Sequence, residues 1–156
     1  MRPEEIKERL AKALDTLREG HGIECSLTAR ELMTYITAPT YEEDKISPTE
    51  ILSNDLLLFH EVAEACVLKD LGHEISEDIF MRAYPETYRA HLVAMRVEME
   101  EARRRGLADH ITRRCADLRT YLEDPYLPGG LRAEVEELMR EFCGGQGPQY
   151  FNAPNQ

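Results

Sequence analysis

The stretch LLLFHEVAEACVL, residues 56–68, decides the fold. Ten of its thirteen residues are apolar, so a helix formed here has no wet face and has to be covered by other helices. The polar residues within it are His60, Glu61 and Glu64. His60 and Glu64 are four apart and share one helix face. An ionised carboxylate among apolar side chains is costly unless it is paired or holds a metal. This H-E-x-x-E therefore needs an answering group from elsewhere in the chain.

Working outward, every segment reads as helix. Ser47-Pro48-Thr49-Glu50 is a strong start signal: an N-cap serine, a proline at the first helical position and a glutamate that closes a capping box. The helix it begins is expected to run to Leu71, with Gly72 as its cap. Upstream, Pro3-Glu4-Glu5 opens a first helix carrying Ile6, Leu10, Leu14 and Leu17, stopped by Gly20 and Gly22. A shorter second helix is expected from Ser26 or Thr28 to about Ile36, then a loop over residues 38–45. Downstream, Ser76-Glu77-Asp78 begins a helical stretch, and Pro85 starts or kinks a long helix ending near Gly106. Two more fit residues 109–123 and 131–142. There is no strand-like alternation and no repeat. The expectation is an all-α, single-domain bundle of five or six helices over residues 1–143, with a flexible tail over 144–156 that is rich in Gly, Pro, Gln and Asn.

The long helix supplies the answering groups. Tyr84, Tyr88, His91, Met95, Glu98 and Ala102 follow a 3-4 spacing and mark one inward stripe. Laid antiparallel to the central helix, with Leu71 near Glu86, this stripe puts Glu64 opposite about position 93 and His60 opposite about position 97. His91 and Glu98 then fall within about a turn of His60 and Glu64. Histidines and carboxylates converging between bundle helices are a metal-site composition. Imidazole favours Zn, Mn or Fe over Mg. The expected ligands are His60, Glu64 and His91. Glu61 and Glu98 are expected as general base, or as partners that hold a ligand from behind. A metal-free His–Glu hydrogen-bonded network would satisfy the same groups.

Composition limits the rest. The chain has 156 residues and a formal net charge of -11. This argues against general nucleic-acid binding and against docking on anionic membranes. No apolar run approaches membrane-spanning length, and the charged start lacks a secretory leader's apolar core, so a cytoplasmic protein is expected. Cys25, Cys66, Cys115 and Cys143 form no C-x-x-C pair and are expected as reduced thiols, Cys66 as a small core residue. Residues 103–119 carry six arginines and two aspartates, a local +4 that leaves the remainder at -15. Arg113, Arg114 or Arg119 is a candidate phosphate contact, whereas Arg103, Arg104 and Arg105 are better explained as cations ending a helix. His73 and His110 are expected on the surface, Met81, Met95 and Met99 in the core. His21 and Cys25 beside a Gly-rich turn read as loop residues rather than ligands.

HEVAEACVLKDLGHEI, followed by AHLVAMRVEME, resembles a group of uncharacterised prokaryotic helical proteins with H-E-x-x-E, L-K-x-x-G and a later A-H, over roughly residues 55–100. That resemblance implies a site and no particular activity. The pairs Glu61/Glu64 and Glu98/Glu101 are similar to the E-x-x-E motifs of all-α nucleoside triphosphate pyrophosphohydrolases, but lack that family's final aspartate and add histidines. HD-type phosphohydrolases are similar in being all-α with His and Asp ligands, where this chain has His60-Glu61. H-E-x-x-E is not the H-E-x-x-H of zinc proteases. These features lead to the expectation of metal-dependent hydrolysis of a phosphate-bearing small molecule, set against a non-enzymatic interaction or scaffold protein. Bundles of this kind often dimerise, so a homodimer is one expected state.

Overall fold

Asn54 breaks what the sequence suggested was one helix. Its side chain accepts hydrogen bonds from the backbone N–H of Leu56 (3.0 Å) and Leu57 (3.1 Å), and its backbone is extended. Asparagine and its neighbours Ser53 and Asp55 compete with helix by bonding the local backbone. In this computed structural model, which describes residues 2–40 and 46–144, the helices are α1 (Pro3–His21), α2 (Ala29–Thr37), α3 (Pro48–Ser53), α4 (Asp55–Asp70), α5 (Ile79–Arg82), α6 (Glu86–Arg104), α7 (Ala108–Tyr121) and α8 (Arg132–Cys143), with a 3-10 turn at Gly129–Leu131. The all-α class holds, and no strand occurs among the described residues. The expected five or six helices are corrected to eight there, because the 48–71 helix divides at Asn54 and the 76–85 stretch forms the short α5. No helix among the described residues is long and apolar enough to cross a membrane.

The local signals act where the chemistry places them. Thr28 caps α2 by accepting from Glu31 N (3.1 Å), while Glu31 Oε1 accepts from Thr28 N (2.9 Å). Ser47 caps α3 by accepting from Glu50 N (3.2 Å). Gly22 closes α1 with a φ of 69°, a left-handed conformation that glycine adopts without a Cβ clash.

The chain divides at Glu98/Met99 into two compact units. In the first, α4 is central: ten of its sixteen residues are buried, so it keeps no polar face. Leu17 of α1, Leu32 and Ile36 of α2, Ile51 of α3, Ile79 of α5, and Ala90, Ala94 and Val97 of α6 share its core cluster. The second unit, from Met99 on, contains α7 and α8 with Leu118, Leu131, Val135 and Leu138 buried. The expected tail lies outside the described residues apart from Gly144, and the expected 38–45 loop is described only as far as Thr40.

Four further expectations are corrected. All four cysteines are paired, Cys25 with Cys66 and Cys115 with Cys143, across Cα–Cα distances of 5.7 and 5.9 Å that suit a disulfide. The bridges span sequence separations of 41 and 28, worth about 3.5–4 kcal/mol each in the chain-entropy account. Tyr84 is exposed, because it precedes the first residue of α6 and the helical phase does not reach it. Met81 is exposed on α5. His110 is buried, since it shares a face of α7 with Arg114 and Leu118 at four-residue spacing.

Replacing Asn54 with alanine leaves two N–H groups at the start of α4 without their acceptor. The expected outcome is a loss of about 1 kcal/mol, read as a lower urea midpoint at unchanged slope.

Candidate metal centre

His60, Glu64 and Glu98 are 2 %, 4 % and 0 % exposed. They lie on α4 and α6, which run antiparallel here: His60 meets Glu98 while Glu64 meets His91. The connection between the two helices is short, which is why the register could be estimated within about two residues of that observed.

The geometry centres on one carboxylate oxygen. Glu64 Oε2 stands 2.9 Å from His60 Nε2 and 2.8 Å from His91 Nδ1, and the two nitrogens are 3.1 Å apart. Protons cannot satisfy all three pairs at once. If both imidazoles donate to the carboxylate, the nitrogen–nitrogen pair shares no hydrogen. If one imidazole donates to the other, one carboxylate contact loses its proton. Four ligands placed tetrahedrally about 2.0–2.1 Å from a zinc ion stand about 3.3 Å apart. The triangle needs to open by only a few tenths of an ångström to hold a cation against all three atoms.

Behind this triangle, His60 Nδ1 donates to Glu98 Oε1 at 2.7 Å. A carboxylate on the far nitrogen of a ligating histidine fixes its tautomer and ring orientation and raises its basicity. On the other side, the buried Tyr35 hydroxyl of α2 donates to Glu64 Oε1. Glu64 thus offers one oxygen to the tyrosine and the other to the imidazoles. Tyr35 packs against Phe80, with ring centroids 4.9 Å apart, and Tyr88 meets the edge of His91 at 6.2 Å.

Burial alone would discharge these groups. For His60 burial works to lower the pKa, but hydrogen bonds and charge from Glu64 and Glu98 outweigh it and raise the value to about 10. Burial pushes Glu64 up, and bonds from His60 and His91 override this and hold it well below the usual carboxylate range. Without a metal, the network is a charge-assisted carboxylate–imidazolium–carboxylate chain.

Of the expected residues, His60, Glu64 and His91 come together as the one group of three ligand-type side chains within ligating reach among the described residues. Glu98 joins them through His60. Glu61 is half-buried, and one residue past His60 it is turned about 100° around the helix. Tyr35 was missed. Its signal was a tyrosine in the apolar stripe of Leu32 and Ile36, where a buried hydroxyl needs a partner. His73 is half-buried beside the Glu86 carboxylate, and Cys25 is committed to its disulfide. In the second unit, Arg104 and Arg105 grip the buried Glu101 at 2.7 and 2.9 Å, and Arg114 pairs with Asp117 at 2.8 Å.

The network carries a pH signature. His60 is raised, so its contribution is complete below the unfolded value of 6.5 and is lost as pH rises toward 10. Glu64 is lowered, so its contribution is complete above the unfolded value of 4.5 and is lost as pH falls below it. Chelator-treated protein is expected to melt highest between about pH 4.5 and 6.5 and progressively lower towards pH 9, and Glu98→Gln is expected to flatten the alkaline limb. Thermal melts across pH check both. No family model, curated protein or solved structure matches the chain.

Proposed function

We propose that the chain binds one divalent transition metal through His60 Nε2, Glu64 Oε2 and His91 Nδ1, and uses it to hydrolyse a phosphate-bearing small molecule. The observation that carries the metal is the triangle of three donor atoms at 2.8–3.1 Å, in which protons bridge only two of the three pairs and the two imidazole nitrogens face each other with none between them. Two imidazoles and one carboxylate suit Zn, Mn or Fe better than Mg. Three protein ligands leave room for a water, whose pKa such an ion lowers towards neutrality. Glu98 is assigned to holding His60 in its ligating tautomer. Glu61, a helix face away, is assigned as base, acting through an intervening water. The phosphate half of the proposal rests on the likeness of the Glu61/Glu64 and Glu98/Glu101 pairs to the E-x-x-E motifs of all-α nucleoside triphosphate pyrophosphohydrolases.

The net charge of -11 keeps nucleic acid and anionic membranes out of the proposal. A small-molecule substrate, a homodimer and a cytoplasmic location stay in it. Disulfides in the cytosol are usually redox-active rather than structural, so the two bridges bear directly on that location.

A second reading is favoured by a specific observation. The Glu64–His60–Glu98 chain already gives each member a charged hydrogen-bond partner, as a structural network in a non-enzymatic scaffold would.

Metal analysis of protein purified without a histidine tag separates the two. About one Zn, Mn or Fe per chain is expected, with a higher melting temperature when the ion is restored. His60→Gln and His91→Gln are each expected to abolish uptake while keeping the helical circular dichroism. Occupancy below about 0.2 per chain with unchanged melting sinks the metal reading. For the hydrolase half, Glu61→Gln is expected to keep the metal and to lower phosphoester turnover 10²-fold or more.

A further inference from the structure

The two disulfides differ in their surroundings. Cys66, Cys115 and Cys143 are 1 %, 0 % and 2 % exposed. Cys25 is only half-buried, in the segment between α1 and α2, and borders an open cleft beside Leu14 and Arg18. Thiol–disulfide exchange needs a thiolate to reach a sulfur. Of the four cysteines, Cys25 alone offers that approach.

The same bridge lies next to the candidate metal centre. Cys66 follows Glu64 by two residues on α4. Cys25 precedes by three residues Thr28, the cap of α2, and α2 carries Tyr35, which donates to Glu64 Oε1. The segments 25–35 and 64–66 are thus fastened twice, by the disulfide at one end and by the tyrosine–carboxylate bond at the other. Lys69 adds two further ties, one to the Ser26 carbonyl and one to Glu31 at 3.0 Å, both partly exposed and screened by solvent.

We propose that Cys25–Cys66 is a thiol-exchange site that sets the grip of Tyr35 on Glu64, and through Glu64 the metal affinity of the His60–Glu64–His91 triangle. The affinity part rests on the metal reading above. The co-reactant is a dithiol. Its first thiolate attacks Cys25 Sγ, the sulfur–sulfur bond breaks as a mixed disulfide forms, and Cys66 leaves as a thiolate that takes up a proton. The second thiol of the reductant, deprotonated, closes on its own mixed-disulfide sulfur and expels Cys25, which is protonated in turn. The reductant departs as a cyclic disulfide, oxidised by two electrons, and the protein keeps two thiols. With the bridge open, the start of α2 retains only non-covalent ties, and Glu64 is no longer held with one oxygen on Tyr35 and the other on the imidazoles.

The experiment uses the full chain, treated with graded dithiothreitol, alkylated and desalted before metal is added. Mass mapping is expected to find Cys25 and Cys66 labelled at least about tenfold faster than Cys115 and Cys143. Amide hydrogen exchange over α2 is expected to quicken in the reduced form. Zinc affinity, read by competition with a chromophoric chelator, is expected to fall about tenfold on reduction. Tyr35→Phe is expected to show that lower affinity already when oxidised, and no further loss on reduction. Cys25→Ser is expected to match the reduced wild type and to ignore the dithiol. Equal or reversed labelling order, unchanged exchange over α2, or an equal loss in Tyr35→Phe and wild type overturns the proposal. If the oxidised wild type binds no Zn, Mn or Fe, the metal reading and the affinity claim fall together, while labelling order and α2 exchange still confirm or sink the thiol-exchange site.

Discussion

The interior of the first unit depends on how one buried carboxylate is neutralised. Glu64 is 4 % exposed and stands among the ten buried residues of its helix, so solvent cannot hydrate its charge. Three side chains from two other helices and from its own converge on it: Tyr35, His60 and His91. Removing one partner of such a buried group costs about 3–5 kcal/mol, because the remaining charge is left without compensation. The positions of α2 and α6 against α4 are therefore constrained by chemistry as well as by fit. A slip of one residue would turn His91 about 100° away from the carboxylate.

His60 extends that constraint. It bridges Glu64 and Glu98 through its two ring nitrogens, so its ring plane is fixed at both ends. An apolar core tolerates some rearrangement at modest cost, whereas a linear carboxylate–imidazole–carboxylate chain has one workable geometry. This explains why the apolar residues of α4 are mostly small or aliphatic around the cluster (Val62, Ala63, Ala65). They let the neighbouring helices approach closely enough for hydrogen bonds of 2.7–2.9 Å.

Much of this was legible in the chain. The run 56–68 announced a buried helix, its three polar residues stood out against it, and the 3-4 stripe of α6 held their counterparts. Antiparallel register followed from a short connection, which leaves two helices little freedom to slide. Other features depend on tertiary placement. The cysteine pairs span 41 and 28 residues, and no local pattern tells which distant thiols meet. Tyr35 lies in a short helix whose packing partner could not be read from periodicity. Met81 and Tyr84 carried apolar character at positions where α5 and the approach to α6 leave them outside. Asn54 was visible in the Ser-Asn-Asp cluster, but the apolar run beyond it read through as one helix.

The division of labour between the two oxygens of Glu64 bears on which ions the triangle can tell apart. With Oε1 engaged by Tyr35, the carboxylate turns Oε2 to the imidazoles, and chelation by both oxygens would compete with the tyrosine bond. Calcium seeks six to eight oxygen ligands at longer range, and here it would find one oxygen and two nitrogens. Magnesium, which sheds its water reluctantly, would meet mostly imidazole. On the proposed metal reading, selection against these two cations would come from the pair of imidazoles, with the phenolic hydroxyl of Tyr35 holding the one carboxylate to a single free oxygen.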